Sequence, residues 1–202
     1  MDIRRVGADG LMIEVDDPLA WFTALWRRRD AGEFTATEIV PGSRTVLLDG
    51  VADPTVLAHT IRGWPAPSGL TRRSRRVDIP VTFDGEDLSF VAAHWGMTVN
   101  QAVARLAETV FTVAFCGFSP GFAYMRGLGS AVPRLDKPRT KVPAGSVALA
   151  GEFAGIYPTA SPGGWRLVGR TALALFDVDR DPPAVLTPGT TVRLHRDPEG
   201  SA

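Results

Sequence analysis

The densest run of turn-forming residues lies between residues 117 and 171. This window holds 10 glycines and 6 prolines, which is 16 of the chain's 37. Glycine permits tight turns, and proline breaks helices and removes a hydrogen-bond donor from interior strands, so long regular elements are excluded here. Short strands separated by turns remain, and from Val110 onwards the chain is predicted to form a β-rich barrel or sandwich.

The first 70 residues alternate strand-like and helix-like segments instead. The apolar spacing and the turn residues predict, in order, a strand at 11–15, a helix capped by Asp17, strands at 34–40 and 44–48, and a helix that begins at Asp53-Pro54. The order β-α-β-β-α predicts a ferredoxin-like α+β domain.

The segment 63–76 reads GWPAPSGLTRRSRR and is rich in turn formers and arginine. It is the best candidate for a domain boundary. We interpret the segment as a linker whose arginines are solvated, and the alternative is that these arginines contact phosphate. We therefore expect an α+β chain with a ferredoxin-like domain over residues 1–70 and a β-barrel domain over residues 77–202.

The second domain is predicted to begin with a strand at Val77–Phe83 and two short helices. Asp87 is the expected N-cap of the first helix, and Thr98 with Gln101 matches a capping box at the second. The apolar spacing assigns the inner faces of the two helices to Leu88, Val91, Ala92 and Trp95, and to Val99, Ala102, Val103 and Leu106.

The composition argues against several classes of partner and of cellular location. The chain carries 22 basic and 22 acidic residues, so its formal net charge is zero and neither nucleic acid nor a membrane is the favoured partner. Cys116 stands alone and cannot form an internal disulfide. No apolar run reaches the length of a membrane span, and the first residues lack a secretory pattern, so we expect a cytoplasmic protein.

Positive charge is nevertheless concentrated in one part of the chain. Residues 117–171 contain seven basic residues but only Asp136 and Glu152 as acids, a local excess of five. Such an excess is what an anion-binding face requires. The alternative is that compensating acidic residues from elsewhere in the chain lie nearby in the fold.

Aromatic residues are interleaved with these turns. Rings can wall a small-molecule pocket, and glycine lets backbone amides approach a ligand closely. Two loops, 144–146 and 161–165, are candidates for presenting N–H groups to a carboxylate or phosphate. The aromatic residues concerned are Phe118, Phe122, Tyr124, Tyr157 and Trp165.

Several motifs of known chemistry fail on inspection. Gly117–Gly121 matches the G-x-S-x-G nucleophile elbow, but the residue after the serine is Pro120, which has no N–H for an oxyanion hole. Cys116 follows an apolar run and is interpreted as a small buried residue. The three histidines have no metal-ligand spacing, so no metal site is expected, and no P-loop is present.

Three stretches carry a family resemblance: FCGFSPGFAYMRGL, PRTKVPAGSVALAG and GIYPTASPGGWRLVGRT. They resemble the family called allophanate hydrolase subunit 1, the B subunit of 5-oxoprolinase or, in spore formers, the sporulation-kinase inhibitor. The resemblance implies a ferredoxin-like domain followed by a cyclophilin-like β-barrel. It also implies a partner of the same family, known as subunit 2 or as the C subunit, together with a third subunit. The cofactor it implies is ATP with magnesium, for opening 5-oxoproline to glutamate.

Two positions depart from the family pattern. Members often carry Leu-His on the second helix, where this chain has Arg105-Leu106, and Gln-Thr-Gly before the Tyr-Pro, where it has residues 153–155, Phe-Ala-Gly. Each departure removes a polar group from the region of the expected pocket. His94 matches a histidine found in some members.

The favoured interpretation is an enzyme subunit that acts on a small cyclic amide or urea-type substrate. Arg139 and Arg170 are the candidates for stabilising developing negative charge, assisted by Ser146, although each arginine could instead form a structural ion pair. The residues expected to bind substrate are Phe118, Phe122, Tyr124, Gly145, Tyr157, Gly163, Gly164 and Trp165. The alternatives are an inhibitor that binds a histidine kinase and, from the fold alone, a prolyl isomerase.

Overall fold

The computed structural model describes residues 1–67 and 75–197. The chain divides into two compact units, Met1–Ser74 and Arg75–Ala202, which are described separately below. Half of the 63–76 segment proposed as a linker, residues 68–74 with Arg72 and Arg73, lies outside the described residues.

The first unit is a four-stranded antiparallel sheet with two helices. The elements are β1 (Asp2–Val6), β2 (Gly10–Glu14), α1 (Pro18–Asp30), β3 (Glu38–Pro41), β4 (Thr45–Asp49) and α2 (Pro54–Arg62). The strands lie in the order β1-β2-β4-β3. Leu11, Ile13, Leu25, Leu48 and Ile61 are fully buried in the core of this unit.

Local capping starts both helices where the sequence predicts. Asp17 accepts a hydrogen bond from the Ala20 amide, and Asp53 accepts from the amides of Thr55 and Val56. The helix α1 connects β2 to β3, with β4 between them, as in a ferredoxin-like unit. The edge beside β2 is filled by β1, a strand that the sequence analysis missed.

The second unit contains a seven-stranded sheet and a two-stranded ribbon. The strands are β5 (Arg76–Val81), β6 (Val110–Cys116), β7 (Ala123–Arg126), β8 (Arg139–Val142), β9 (Ser146–Ala150), β10 (Phe153–Ile156), β11 (Ser161–Gly163), β12 (Arg166–Arg170) and β13 (Thr191–Arg196). The sheet has the order β12-β9-β10-β7-β6-β13-β5, and β11 pairs with β8 in the ribbon. An antiparallel bridge between Thr82 and Arg170 joins the ends of the two edge strands, so the sheet is a nearly closed barrel. The predicted α+β class, a ferredoxin-like unit followed by a cyclophilin-like barrel, is confirmed.

Two helices, α3 (Leu88–His94) and α4 (Val99–Glu108), pack on the barrel against β12 and β13. The capping box of Thr98 and Gln101 is confirmed. Asp87 occupies the N-cap position of α3 but makes no capping hydrogen bond, because its carboxylate is used elsewhere. Val99 was predicted on the inner face of α4 and is instead exposed.

The barrel interior is filled by apolar side chains. Ile79, Phe111, Met125, Leu149 and Leu194 are fully buried there. Within the described ranges, no helix is long and apolar enough to cross a membrane.

Candidate functional site

A cavity of about 440 Å³ opens on one side of the barrel. Its lining is largely aromatic, with glycine and proline between the rings. The lining residues are Phe118, Phe122, Tyr124, Arg134, Pro138, Ala150, Gly151, Phe153, Tyr157, Pro162, Gly163, Gly164 and Trp165. Seven of the eight residues predicted to bind substrate are in this set.

Phe122 lies at the centre of the aromatic wall. Its ring centroid is 5.1 Å from that of Tyr124, 5.4 Å from Tyr157 and 5.4 Å from Trp165, all with edge-on geometry. Phe122 directly precedes β7, Tyr124 lies within β7, Tyr157 follows β10 and Trp165 precedes β12, so barrel pairing brings these rings together. Edge-to-face packing fixes the orientation of each ring and makes the wall rigid.

Phe118 stands at the mouth of the cavity. Its side chain is 61% exposed, and its backbone φ is 70°, in the left-handed region that a bulky residue seldom adopts. Its ring still meets the edges of Phe122 and Tyr157, at 5.3 and 6.2 Å. A strained backbone therefore holds an aromatic ring over the opening.

Two glycines allow the close packing of the wall. A Cβ on Gly155 would lie 2.9 Å from both the Phe122 and Trp165 rings. A Cβ on Gly163 would collide with the Tyr157 hydroxyl. Both positions must lack a side chain for the aromatic residues to sit where they do.

Arg134 is the one charged residue in this lining, among the residues that the structure describes, and sequence reasoning did not single it out. Burial raises the pKa of Tyr124 and of Tyr157, while the Arg134 charge acts in the opposite direction on both. The positive charge of Arg134 therefore affects the pKa of both phenols. The signal in the sequence was present, because Arg134 belongs to the local basic excess.

Arg139, predicted to be catalytic, is instead held by a network outside the lining. Its guanidinium pairs with Glu86 at 2.7 Å and Asp87 at 2.8 Å and donates to the carbonyl of Trp165 at 3.2 Å. Asp87 is almost fully buried and also accepts from Arg166 and from the Leu167 amide. The alternative stated for Arg139, a structural ion pair, describes this geometry.

The other two predicted catalytic side chains also lie outside the lining. Ser146 is buried in β9, and its hydroxyl donates to the carbonyl of Pro143. Arg170 is exposed and pairs with Asp84 at 2.8 Å. Gly145, predicted to bind substrate, has a φ of 80° and a backbone bonded to Tyr157 and Thr171, so its role here is structural.

The local basic excess is largely offset in space. Arg126 pairs with Glu152 inside the window, whereas three acids from residues 84–87 neutralise basic residues of the window. These pairs are Asp84 with Arg170, Glu86 with Arg139, and Asp87 with Arg139 and Arg166. Of the two interpretations left open by the composition, compensating acidic residues nearby in the fold describe these four arginines, because acids distant in the sequence are neighbours in space.

The two departures from the family pattern have different consequences. Arg105 donates to the Leu128 carbonyl and the Ser130 hydroxyl and stacks on Trp95, so it is a packing residue away from the cavity. Phe153 lines the cavity and packs edge-on against Tyr124 at 5.8 Å. The second departure thus makes the wall more apolar.

The motifs that failed on inspection have structural roles. Cys116 packs against the barrel core, as the sequence predicts, and burial raises the pKa of its thiol to about 11. The Ser119 hydroxyl is buried, with no hydrogen-bond partner among the described residues, which does not suit an exposed nucleophile. In residues 1–67 and 75–197, no cluster of three or more candidate metal ligands occurs.

A family model for the carboxyltransferase domain, subdomain C and D, matches residues 1–186. The chain belongs to this family. It is 37% identical to the B subunit of 5-oxoprolinase from Escherichia coli O157:H7, over 96% of this chain and 95% of that protein. It is 44% identical to the protein of the same name from Haemophilus influenzae, over 84% of each chain.

Solved structures show the same architecture inside longer proteins. The protein TTHA0988 matches with a TM-score of 0.75 and 31% identity over 96% of this chain, which spans 40% of that protein. The urea amidolyase of Kluyveromyces lactis matches with a TM-score of 0.70 over 98% of this chain, which spans 15% of that protein. At 20% identity, the second match shows the fold alone.

Proposed function

We propose that this chain is the lactam-binding component of a multi-subunit enzyme of the 5-oxoprolinase type, which opens 5-oxoproline to glutamate with ATP. The observation that carries the proposal is the cavity, where seven of the eight residues predicted to bind substrate enclose one space. The relatives named as the B subunit of 5-oxoprolinase, one of them similar over nearly the whole chain, supply the substrate class.

The chemistry of the wall suits a small lactam. The ring of 5-oxoproline presents methylene groups on its faces, which pack favourably on aromatic surfaces. The amide itself is unreactive until its oxygen is activated, and a rigid pocket contributes by holding the ring in one orientation for that step. Tyr124 and Tyr157 are protonated at neutral pH, as ordinary tyrosines are, and burial raises the pKa of each further, so they offer neutral polar groups.

ATP does not fit this cavity. A triphosphate needs several cations, and among the described residues the lining supplies Arg134 alone. Arg139, Arg166 and Arg170 are already engaged by carboxylates. We therefore assign no step of nucleotide chemistry to these residues and propose that ATP and its magnesium are bound elsewhere in the complex.

The partner is proposed to be a protein of the subunit 2 type, the C subunit of such enzymes, and a third protein would complete a cytoplasmic complex. The longer solved proteins support this, because in each of them the fold seen here is one part of a larger chain. A cavity that binds substrate without binding nucleotide needs such a partner.

The test is reconstitution of the complex with its partners, followed by measurement of ATP-dependent glutamate release from 5-oxoproline. Gly164→Leu fills the cavity, and the new Cβ finds ordinary contact distance, 3.6 Å, to Pro138. We expect this variant to assemble and to lose at least about tenfold in kcat/KM, or about 1.4 kcal/mol. Gly117→Leu is the matched control, because a Cβ there meets nothing within 4 Å and Gly117 does not line the cavity.

Absence of glutamate release from the wild-type complex would contradict the proposed substrate. Full activity of Gly164→Leu would show that the cavity is not the binding site.

A further inference from the structure

We propose that Arg134 recognises the carboxylate of the substrate and thereby sets the specificity of the cavity for an anionic lactam. The inference rests on the proposed function and adds to it the residue that reads the charged end of the ligand. Neither the family resemblance nor the sequence patterns assigned a role to Arg134.

The cavity lining carries a single unbalanced charge. Among the described residues, Arg134 is the one charged group there, and every other lining residue is aromatic, proline, glycine or alanine. Arg134 is exposed, and no ion pair joins it to an acid of the described ranges. A cation beside an apolar wall, with no protein anion to neutralise it, is the arrangement that an anionic ligand would complete.

The backbone around Arg134 is fixed on both sides. The amide of Val132 donates to the carbonyl of Gly151 at 2.8 Å, and the amide of Leu135 donates to the carbonyl of Gly164 at 2.8 Å. The carbonyl of Pro133 accepts from Arg166 Nε at 3.2 Å. The side chain therefore starts from an anchored point on the cavity rim, so binding a ligand has to order the side chain but not the backbone that carries it.

The nearby phenols do not compete for the guanidinium as anions. Tyr124 and Tyr157, the two phenols whose pKa the Arg134 charge affects, are protonated at neutral pH as ordinary tyrosines are, and burial raises the pKa of each further. They do not act as phenolate partners for the guanidinium at neutral pH. The fork of donors stays available for bidentate contact with a planar carboxylate.

The cavity would therefore contact two different parts of the ligand. The aromatic wall holds the ring of the lactam, and Arg134 holds the carboxylate at the rim. A ligand with the same ring but no carboxylate should pack on the aromatic wall and make no contact with the Arg134 charge. 2-Pyrrolidinone is that ligand.

The experiment compares dissociation constants of 5-oxoproline and 2-pyrrolidinone, measured by ligand-observed NMR on the full chain and on the reconstituted complex. Arg134→Gln removes the charge, and Arg134→Lys keeps the charge but loses the fork. Lys137→Gln is the control, since it removes an equal charge from a residue close in sequence that does not line the cavity.

We expect Arg134→Gln to weaken 5-oxoproline binding about tenfold and to leave 2-pyrrolidinone binding within about twofold. Arg134→Lys should fall between the wild type and Arg134→Gln, and Lys137→Gln should change neither ligand. An equal loss for both ligands, no loss for either, or the same loss in Lys137→Gln would overturn the role of Arg134. If the wild-type complex binds no 5-oxoproline, the proposed function fails and this inference fails with it.

Discussion

Phe118 lies at the mouth of the cavity and has a backbone conformation that a residue with a side chain disfavours. A left-handed backbone costs a side-chain-bearing residue about 1–2 kcal/mol, and glycine is free of this penalty. The turn is nevertheless tightly fixed, because the Phe122 amide donates to the Ser119 carbonyl and the Gly117 amide donates to the Phe122 carbonyl. The surrounding hydrogen bonds thus hold a strained residue that places an exposed ring at the cavity mouth.

The first prediction compares Phe118→Gly with Phe118→Ala. Both remove the ring, but only glycine relieves the backbone, so Phe118→Gly should be more stable than Phe118→Ala by about 1 kcal/mol. Urea unfolding followed by circular dichroism measures the difference. Both variants should bind 5-oxoproline more weakly than the wild type, and equal stability of the two would contradict the strain.

At the scale of the secondary-structure elements, the loop between β5 and α3 supports one side of the cavity wall. Its Gly85 lies so close to the backbone of β12 that a Cβ would come within 2.4 Å of the Leu167 carbonyl oxygen. From this loop Asp87 reaches the Leu167 amide at 2.7 Å and Arg139 at 2.8 Å, and Arg139 in turn reaches the Trp165 carbonyl. Asp87 therefore fixes the residue whose ring closes one side of the cavity.

The second prediction compares Asp87→Asn with Asp84→Asn. The first leaves two guanidinium groups without their shared, nearly buried carboxylate, so we expect a loss of about 3 kcal/mol in the free energy of unfolding. The second breaks an exposed pair with Arg170 and should cost under about 1 kcal/mol. Chemical denaturation measures both, and equal losses would show that Asp87 is not the centre of the network.

Local signals in the sequence were sufficient for most elements of the fold. The caps at Asp17, Asp53 and Thr98 were predictable because each acts on amides two or three residues away. The strand β1 was not predictable, since Ile3 is its one buried residue and no alternating apolar pattern results. Asp87 looked like an ordinary N-cap because its true partners lie more than 50 residues further along the chain.

The candidate site likewise contains some features that the sequence predicts and others that it does not. The aromatic wall was predictable because its rings share a short, turn-rich window that must fold upon itself. The roles of Arg139 and Arg170 were not, because charge pairing depends on which acids the barrel brings alongside them. The role of Ser146 was not either, because its burial in β9, with its hydroxyl donating to the Pro143 carbonyl, follows from the fold. Arg134 was overlooked because what distinguishes it from the other arginines is that no acid among the described residues pairs with it, and pairing is not visible in the sequence.

At the scale of the whole molecule, the aromatic cavity and Arg134 lie in the barrel unit. The chain is similar over nearly its full length to a relative named as one subunit of an enzyme, and its architecture recurs as a fraction of longer proteins. We therefore propose that this chain is the part of an assembly that holds the substrate, with the activating chemistry supplied by its partners.

The central claim is that 5-oxoproline binds against the aromatic wall, and Trp165 reports on it directly. The chain has five tryptophans, so protein labelled with 5-fluorotryptophan gives five ¹⁹F resonances, and Trp165→Phe assigns the one that matters. Titration with 5-oxoproline, on the isolated chain and in the reconstituted complex, should shift the Trp165 resonance and leave Trp21, Trp26, Trp64 and Trp95 in place. An unmoved Trp165 resonance at concentrations that saturate turnover would contradict the claim.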